Sequence, residues 1–196
     1  MQAQGAYNIN LVTPTQYLPW IEEALRLCGD RISVPVLYNT GGYEREETLR
    51  RLEGKVQIYL PDLKYYDCTL SARYSAAPDY FAVASLALRE MFRQVGAVRF
   101  DENGILQSGM VVRHLVLPGA FRDSLRLLDW LAEEFGGHSP EHNEPVHPAC
   151  RYCHQGATAS GFYLRIPKGL RACGRVRLFR LHPAAFLCRC RLHPAL

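Results

Sequence analysis

Two groups of residues in this 196-residue chain have types and spacings suited to chemistry. Cys150-Arg-Tyr-Cys153-His154 has the Cys-x2-Cys-His spacing of covalent haem attachment. With Cys173, Cys188, Cys190 and nearby histidines, the same region also offers thiolates and imidazoles for zinc. The second group is Thr13, Thr15, Asn39, Thr40, Asp62 and Lys64. These are hydrogen-bonding and charged side chains that orient a polar ligand, and each follows a short apolar run. The plainer account of each is a polar loop residue with a capping role.

The runs that carry the second group read as strands at 7–13, 34–38, 56–60 and 110–117. Between and after them, apolar residues at helical spacing predict helices at 16–28, 44–52, 68–76, 78–95 and 121–135. Phe81, Ala84, Leu88, Met91 and Val95 are expected on one helix face, and Leu125, Leu128, Leu131 and Phe135 on another. Four β-then-α units in succession imply an α/β fold with a parallel sheet and crossover helices. In such folds ligands bind at the C-terminal rim of the strands, where the polar group lies.

The composition is not uniform. Residues 1–137 hold 14 basic and 17 acidic residues, two cysteines and one histidine; residues 138–196 hold 9 basic and 2 acidic residues, five cysteines and six histidines. The net charge of +4 therefore belongs to the tail. Basic charge without a recognition motif is non-specific, so no nucleic-acid partner is expected. No apolar run approaches the ~20 residues of a membrane span, and Met1–Gly5 has no signal-peptide pattern. The expected location is cytoplasmic, without membrane contact.

Six runs occur in order: Gly5-Ala-Tyr-Asn-Ile-Asn-Leu-Val-Thr-Pro-Thr15, Tyr38-Asn-Thr-Gly-Gly-Tyr-Glu44, Ile58-Tyr-Leu-Pro-Asp-Leu-Lys-Tyr65, Tyr74-Ser-Ala-Ala-Pro-Asp-Tyr80, Glu90-Met-Phe-Arg-Gln-Val-Gly96 and Val112-Arg-His-Leu-Val-Leu-Pro-Gly119. Together they resemble radical S-adenosylmethionine proteins of the pyruvate formate-lyase activating enzyme-like branch, over nearly all of residues 1–137. The resemblance implies a partial (β/α) barrel. It also implies a [4Fe–4S] cluster on a Cys-x3-Cys-x2-Cys motif, and S-adenosylmethionine cleaved reductively to a 5′-deoxyadenosyl radical. A glycyl-radical enzyme and a flavodoxin- or ferredoxin-type electron donor would be the partners.

By that resemblance Thr13, Pro14 and Thr15 lie where the methionine amino group is received. Asn39, Thr40, Asp62, Lys64, Arg113 and His114 complete the cofactor pocket. Arg113 also reads as an ion-pair partner of Asp62, and His114 as a core histidine. Gln16 stands where the family usually has His, and Gly41 where it usually has Ser.

The sequence contains no Cys-x3-Cys-x2-Cys, and Cys28 and Cys68 read as isolated thiols. Against the family, Met1 reads as an internal residue promoted to a start, with the first strand and the cluster cysteines missing. No catalytic residue and no metal ligand is assigned, and the chain is expected to be inactive alone.

After Gly137 the family pattern stops, and residues 138–196 are expected to form an irregular tail. Degenerate codons for residues 143–149, read one nucleotide later, permit the family's Met-Ser-Gln-Tyr-Thr-Pro. Arg165–Gly169 likewise permits Glu-Tyr-Gln-Lys-Val, and Leu181–Pro183 permits Phe-Ile-Gln. A reading-frame shift near 135–138 explains all three, together with the excess of Arg, His, Cys and Pro. The alternative is a metal- or haem-binding module on Cys150, Cys153 and His154. With the first strand missing and the last scrambled, both sheet edges are expected to be open. Sequencing the gene from independent clones should reveal the shift; an intact frame, with the tail present in the protein, rules it out.

Overall fold

The computed structural model describes residues 2–136, 161–164 and 178–179. Along the chain the elements are β1 (Ile9–Val12), α1 (Leu18–Cys28), β2 (Val36–Thr40), α2 (Glu46–Arg50), β3 (Ile58–Pro61), α3 (Cys68–Ser75), α4 (Tyr80–Val95), β4 (Arg99–Phe100), β5 (Leu106–Met110), β6 (Val112–Leu115), α5 (Phe121–Phe135), β7 (Gly161–Leu164) and β8 (Leu178–Phe179). They fall into two compact units. Of the described residues, one contains 2–62 and 82–111, and the other 63–81, 112–136, 161–164 and 178–179.

The first unit is built on a five-stranded sheet of order β1-β2-β3-β5-β4. The pairs β1–β2, β2–β3 and β3–β5 are parallel, as the β-then-α alternation implies. Every residue of β2 and β3 is buried, the pattern of continuous apolar strands covered on both faces. β1 differs. It has β2 as its neighbour and alternates between half-buried and exposed residues, with Val12 65% exposed. Ala84, Ala87, Leu88 and Met91 of α4 are fully buried, and their spacing marks one helix face. Each large apolar side chain withdrawn from water in this way contributes roughly 1.5–3 kcal/mol.

The strand expected over 110–117 is divided. Met110 closes β5 in the first unit, whereas 112–115 form β6 in a second sheet. β5 is also the second arm of an antiparallel hairpin with β4, so β4, rather than an open β5, forms that edge. The turn has a local cause. Asp101 accepts the amides of Asn103 at 2.9 Å and Ile105 at 2.8 Å, and Gly104, in left-handed backbone, returns its amide to Asp101 O at 3.0 Å. Asp101-Glu-Asn-Gly104 is a turn signal of the usual kind, and it escaped the sequence reading because the flanking strands are so short.

In the second unit β6 pairs antiparallel with β7, and β7 with β8, in the order β6-β7-β8. Two stretches of the 138–196 tail are thus strands. The remainder, including Cys150, Cys153, His154, Cys173, Cys188 and Cys190, lies outside the described residues.

Helix α5 spans the expected residues 121–135, but with a different buried face: Asp123, Ser124, Leu127, Leu131 and Phe135 are buried, whereas Leu125 is 42% exposed. Six residues separate Leu125 from Leu131, which at ~3.6 residues per turn puts them on different sides. Two polar residues were needed inside, and the apolar pattern alone could not show it. Among the described residues, no helix is long and apolar enough to cross a membrane.

Gly109 is the tightest point of the first sheet. Its φ is +115°, and a Cβ there would lie 2.5 Å from Val98 Cα. Backbone cannot move aside as a flexible side chain can, so Gly109→Ala should destabilise the protein by about 3 kcal/mol. A fall in the urea midpoint without a change in slope is the expected reading.

Candidate functional site

Parallel register fixes the rim. Val12 pairs with Asn39, and Asn39 and Thr40 pair with Leu60 and Pro61. Beyond the last paired residues the ladder runs on, from Thr13 N to Asn39 O at 2.8 Å and from Asp62 N to Thr40 O at 2.9 Å. Thr13, Asn39, Thr40 and Asp62 are therefore neighbours at the C-terminal ends of three adjacent strands. Pro14 is buried, and its carbonyl accepts Tyr17 N at 2.8 Å, starting the turn that carries Thr15. Thr13 has a φ of +49°. A β-branched residue in left-handed backbone is strained, and such strain concentrates at functional sites.

At the centre of this rim is Glu44, which the sequence reading had placed at the start of a charged helix. That helix, α2, begins at Glu46, and Glu44 is only 5% exposed. Its Oε1 accepts from the Thr15 hydroxyl at 2.6 Å and from the Thr40 hydroxyl. Thr15 Oγ1 lies 3.0 Å from Tyr38 OH. Because the Thr15 proton goes to the carboxylate, the Tyr38 phenol is the donor in that pair. Gly42, whose φ of +81° turns the chain back, gives its amide to Thr40 Oγ1 at 3.3 Å. The two threonine hydroxyls thus meet one carboxylate oxygen, and the tyrosine hydroxyl reaches it through Thr15. The other, Oε2, is buried and is the one buried side-chain oxygen or nitrogen among the described residues that lacks a hydrogen-bond partner. A buried carboxylate oxygen without a partner is costly, and a hydrogen-bond donor satisfies it. The signal that could have found Glu44 is its place just after the Gly41-Gly42 turn, where a helix has not yet begun.

The remaining expected site residues lie in the second unit. Lys64 gives its backbone amide to Tyr80 OH at 3.1 Å. Arg113 is half-buried on β6, and its carbonyl accepts Leu63 N at 2.9 Å. His114 is 4% exposed, with Nδ1 2.6 Å from Leu63 O and Nε2 2.9 Å from Ser124 Oγ. A carbonyl only accepts, so Nδ1 carries a proton, while Nε2 shares a hydrogen bond with the Ser124 hydroxyl. Both ring nitrogens are engaged, the arrangement of a satisfied core histidine. On the same turn of α5, Asp123 accepts Tyr66 N at 3.0 Å and Asp67 N at 2.8 Å. These bonds explain why α5 turns Asp123 and Ser124 inward.

Of the two described cysteines, Cys28 is half-buried at the end of α1 and Cys68 is exposed at the start of α3; both are free. Among the described residues, no three His, Cys, Asp or Glu side chains are grouped as a metal ion requires.

Burial pushes the Tyr38 phenol up to about 12 from an ordinary value of 10.0. Below pH 10 the phenol is neutral both folded and unfolded, and its stabilisation is fully present. Between pH 10 and about 12 the unfolded phenol ionises first, so stability should fall across that window. Tyr38→Phe should flatten the fall, checked by urea unfolding at about pH 9 and at steps above it. Comparison with protein-family models, curated proteins and solved structures returns no match to this chain.

Proposed function

We propose that residues 1–137 form the S-adenosylmethionine-binding part of a radical S-adenosylmethionine β/α domain of the pyruvate formate-lyase activating enzyme-like branch. The observation that carries this reading is the rim itself. Thr13, Thr15, Asn39, Thr40 and Asp62 gather at the ends of three parallel strands around a buried carboxylate with one unpartnered oxygen. The six ordered motifs support it from the sequence side.

The ligand fits the donor set on chemical grounds. Its methionine end carries an α-ammonium, which supplies the N–H donors that Glu44 Oε2 lacks. Thr13 offers a hydroxyl to the ligand, while Thr15 and Thr40, whose protons go to Glu44 Oε1, hold that carboxylate in place. When bound, the ligand supplies a sulfonium centre. Because Oε2 is buried, docking entails local opening of the rim.

A [4Fe–4S] cluster does not fit the residues of this part. Its two cysteines are separated by β2 and β3, and no third thiolate joins them. We therefore derive no radical step from these side chains, and their role is to bind and orient.

Titration calorimetry of the full chain with S-adenosylmethionine should give binding with a Kd of about 1 mM or tighter. Glu44→Gln should weaken it about tenfold, because a charge-assisted bond becomes a neutral one. An analogue lacking the α-amino group should bind the wild type and Glu44→Gln equally. A folded chain that shows no heat with S-adenosylmethionine overturns the reading.

A further inference from the structure

The second unit contains an open, solvent-facing cavity of about 450 Å³ between α3 and the start of α5. Three guanidiniums line it: Arg73 on α3, and Arg122 and Arg126 on α5. Arg73 lies 5.3 Å from the Tyr74 ring centroid and Arg126 6.0 Å from that of Tyr66, which fixes their planes against aromatic faces. Among the described residues, none of these three exposed side chains forms a hydrogen bond or an ion pair within 4 Å, although Arg126 is near enough to Asp67 to add to the Thr69 hydrogen bonds that hold that carboxyl below its ordinary range. That sets them apart from Arg26, Arg50, Arg51 and Arg93, each of which meets a carboxylate.

Two carboxylates also border the cavity, but both already serve the backbone. Asp123 accepts the amides of Tyr66 and Asp67, and Asp67 Oδ1 accepts the amides of Thr69 and Leu70 and the Thr69 hydroxyl. Helix α5 adds to the positive side. Its N-cap is Ala120, which provides no side-chain cap, so the first amides of α5 face the cavity end of the helix without one. With the Asp67 and Asp123 carboxylates counted, three guanidiniums still leave the space net positive. Three guanidiniums carry more N–H donors than one phosphate group can accept, so they suit two linked phosphates. Guanidinium forks also suit phosphate oxygens in bidentate geometry. The volume falls within the usual range of small-molecule sites, about 300–1,000 Å³.

We propose that this cavity binds the diphosphate group of a small molecule, held by Arg73, Arg122 and Arg126 at the uncapped start of α5. The site is separate from the Glu44 rim and does not depend on the reading of that rim.

Titration of the full chain with inorganic pyrophosphate should give saturable binding. Arg122→Ala and Arg126→Ala should each weaken it about tenfold, the loss of one charge-assisted contact. Arg26→Ala, on α1 and paired with Glu23, should leave it unchanged. Arg122→Lys, which keeps the charge but loses the fork, should fall between. ADP binding at equal or tighter affinity identifies a nucleotide as the source of the diphosphate, whereas pyrophosphate binding alone identifies the free anion. Absence of pyrophosphate binding by a chain with native circular dichroism overturns the proposal, and so does equal binding by wild type and Arg122→Ala.

Discussion

The parallel hydrogen-bond ladder from β1 through β2 to β3 is the constraint on which the first unit rests. Parallel pairing makes each strand end beside its neighbour's end, so Thr13, Asn39, Thr40 and Asp62 arrive together although they are far apart in sequence. An antiparallel arrangement of the same strands would have sent alternate ends to opposite sides. The crossovers that parallel pairing requires are supplied by the helical segments between strands. Burial of β2 and β3 on both faces then locks the register, because a one-residue slip would turn every side chain to the other side.

Buried polar groups divide into two kinds. Asp123 and His114 are saturated: the aspartate joins α5 to the amides ahead of α3, and the histidine joins β6 to Leu63 and α5. Such groups act as rivets, since their desolvation is offset only when the partners are in place. In the first unit Gln94 does similar work, linking Tyr59, Glu90 and the Leu49 carbonyl. Glu44 is the other kind. Three hydroxyls are organised around one of its oxygens while the other is left open. Among the described residues the other buried side-chain oxygens and nitrogens are satisfied, and one unpaired carboxylate oxygen at a strained rim is a position suited to an incoming donor.

Much of the architecture was legible in the sequence because its signals are local. The apolar runs gave three parallel strands, and helical periodicity gave α1, α3, α4 and α5 within a few residues of their ends. The division of the run at 110–117 was not legible. Gly109 must pass within contact of the Val98 backbone, and the β4–β5 hairpin follows from the Asp101 turn; neither leaves an apolar signature. The inward face of α5 was misjudged for a related reason. Asp123 and Ser124 look like surface residues until the amides and the imidazole that they bind are brought against them.

By itself, then, the sequence determined the α/β class, the parallel sense of the sheet and the polar character of its rim. Each follows from the period of hydrophobicity and the order of segments. Tertiary structure alone decided that Glu44 is buried rather than helical and solvated. It also decided that both nitrogens of His114 are occupied, and that Arg73 shares one cavity with Arg122 and Arg126, some fifty residues later in the sequence. The physical reason is the same in each case. Hydrophobic period is written along the chain, whereas the partner of a polar group is set by what folding brings to its other side.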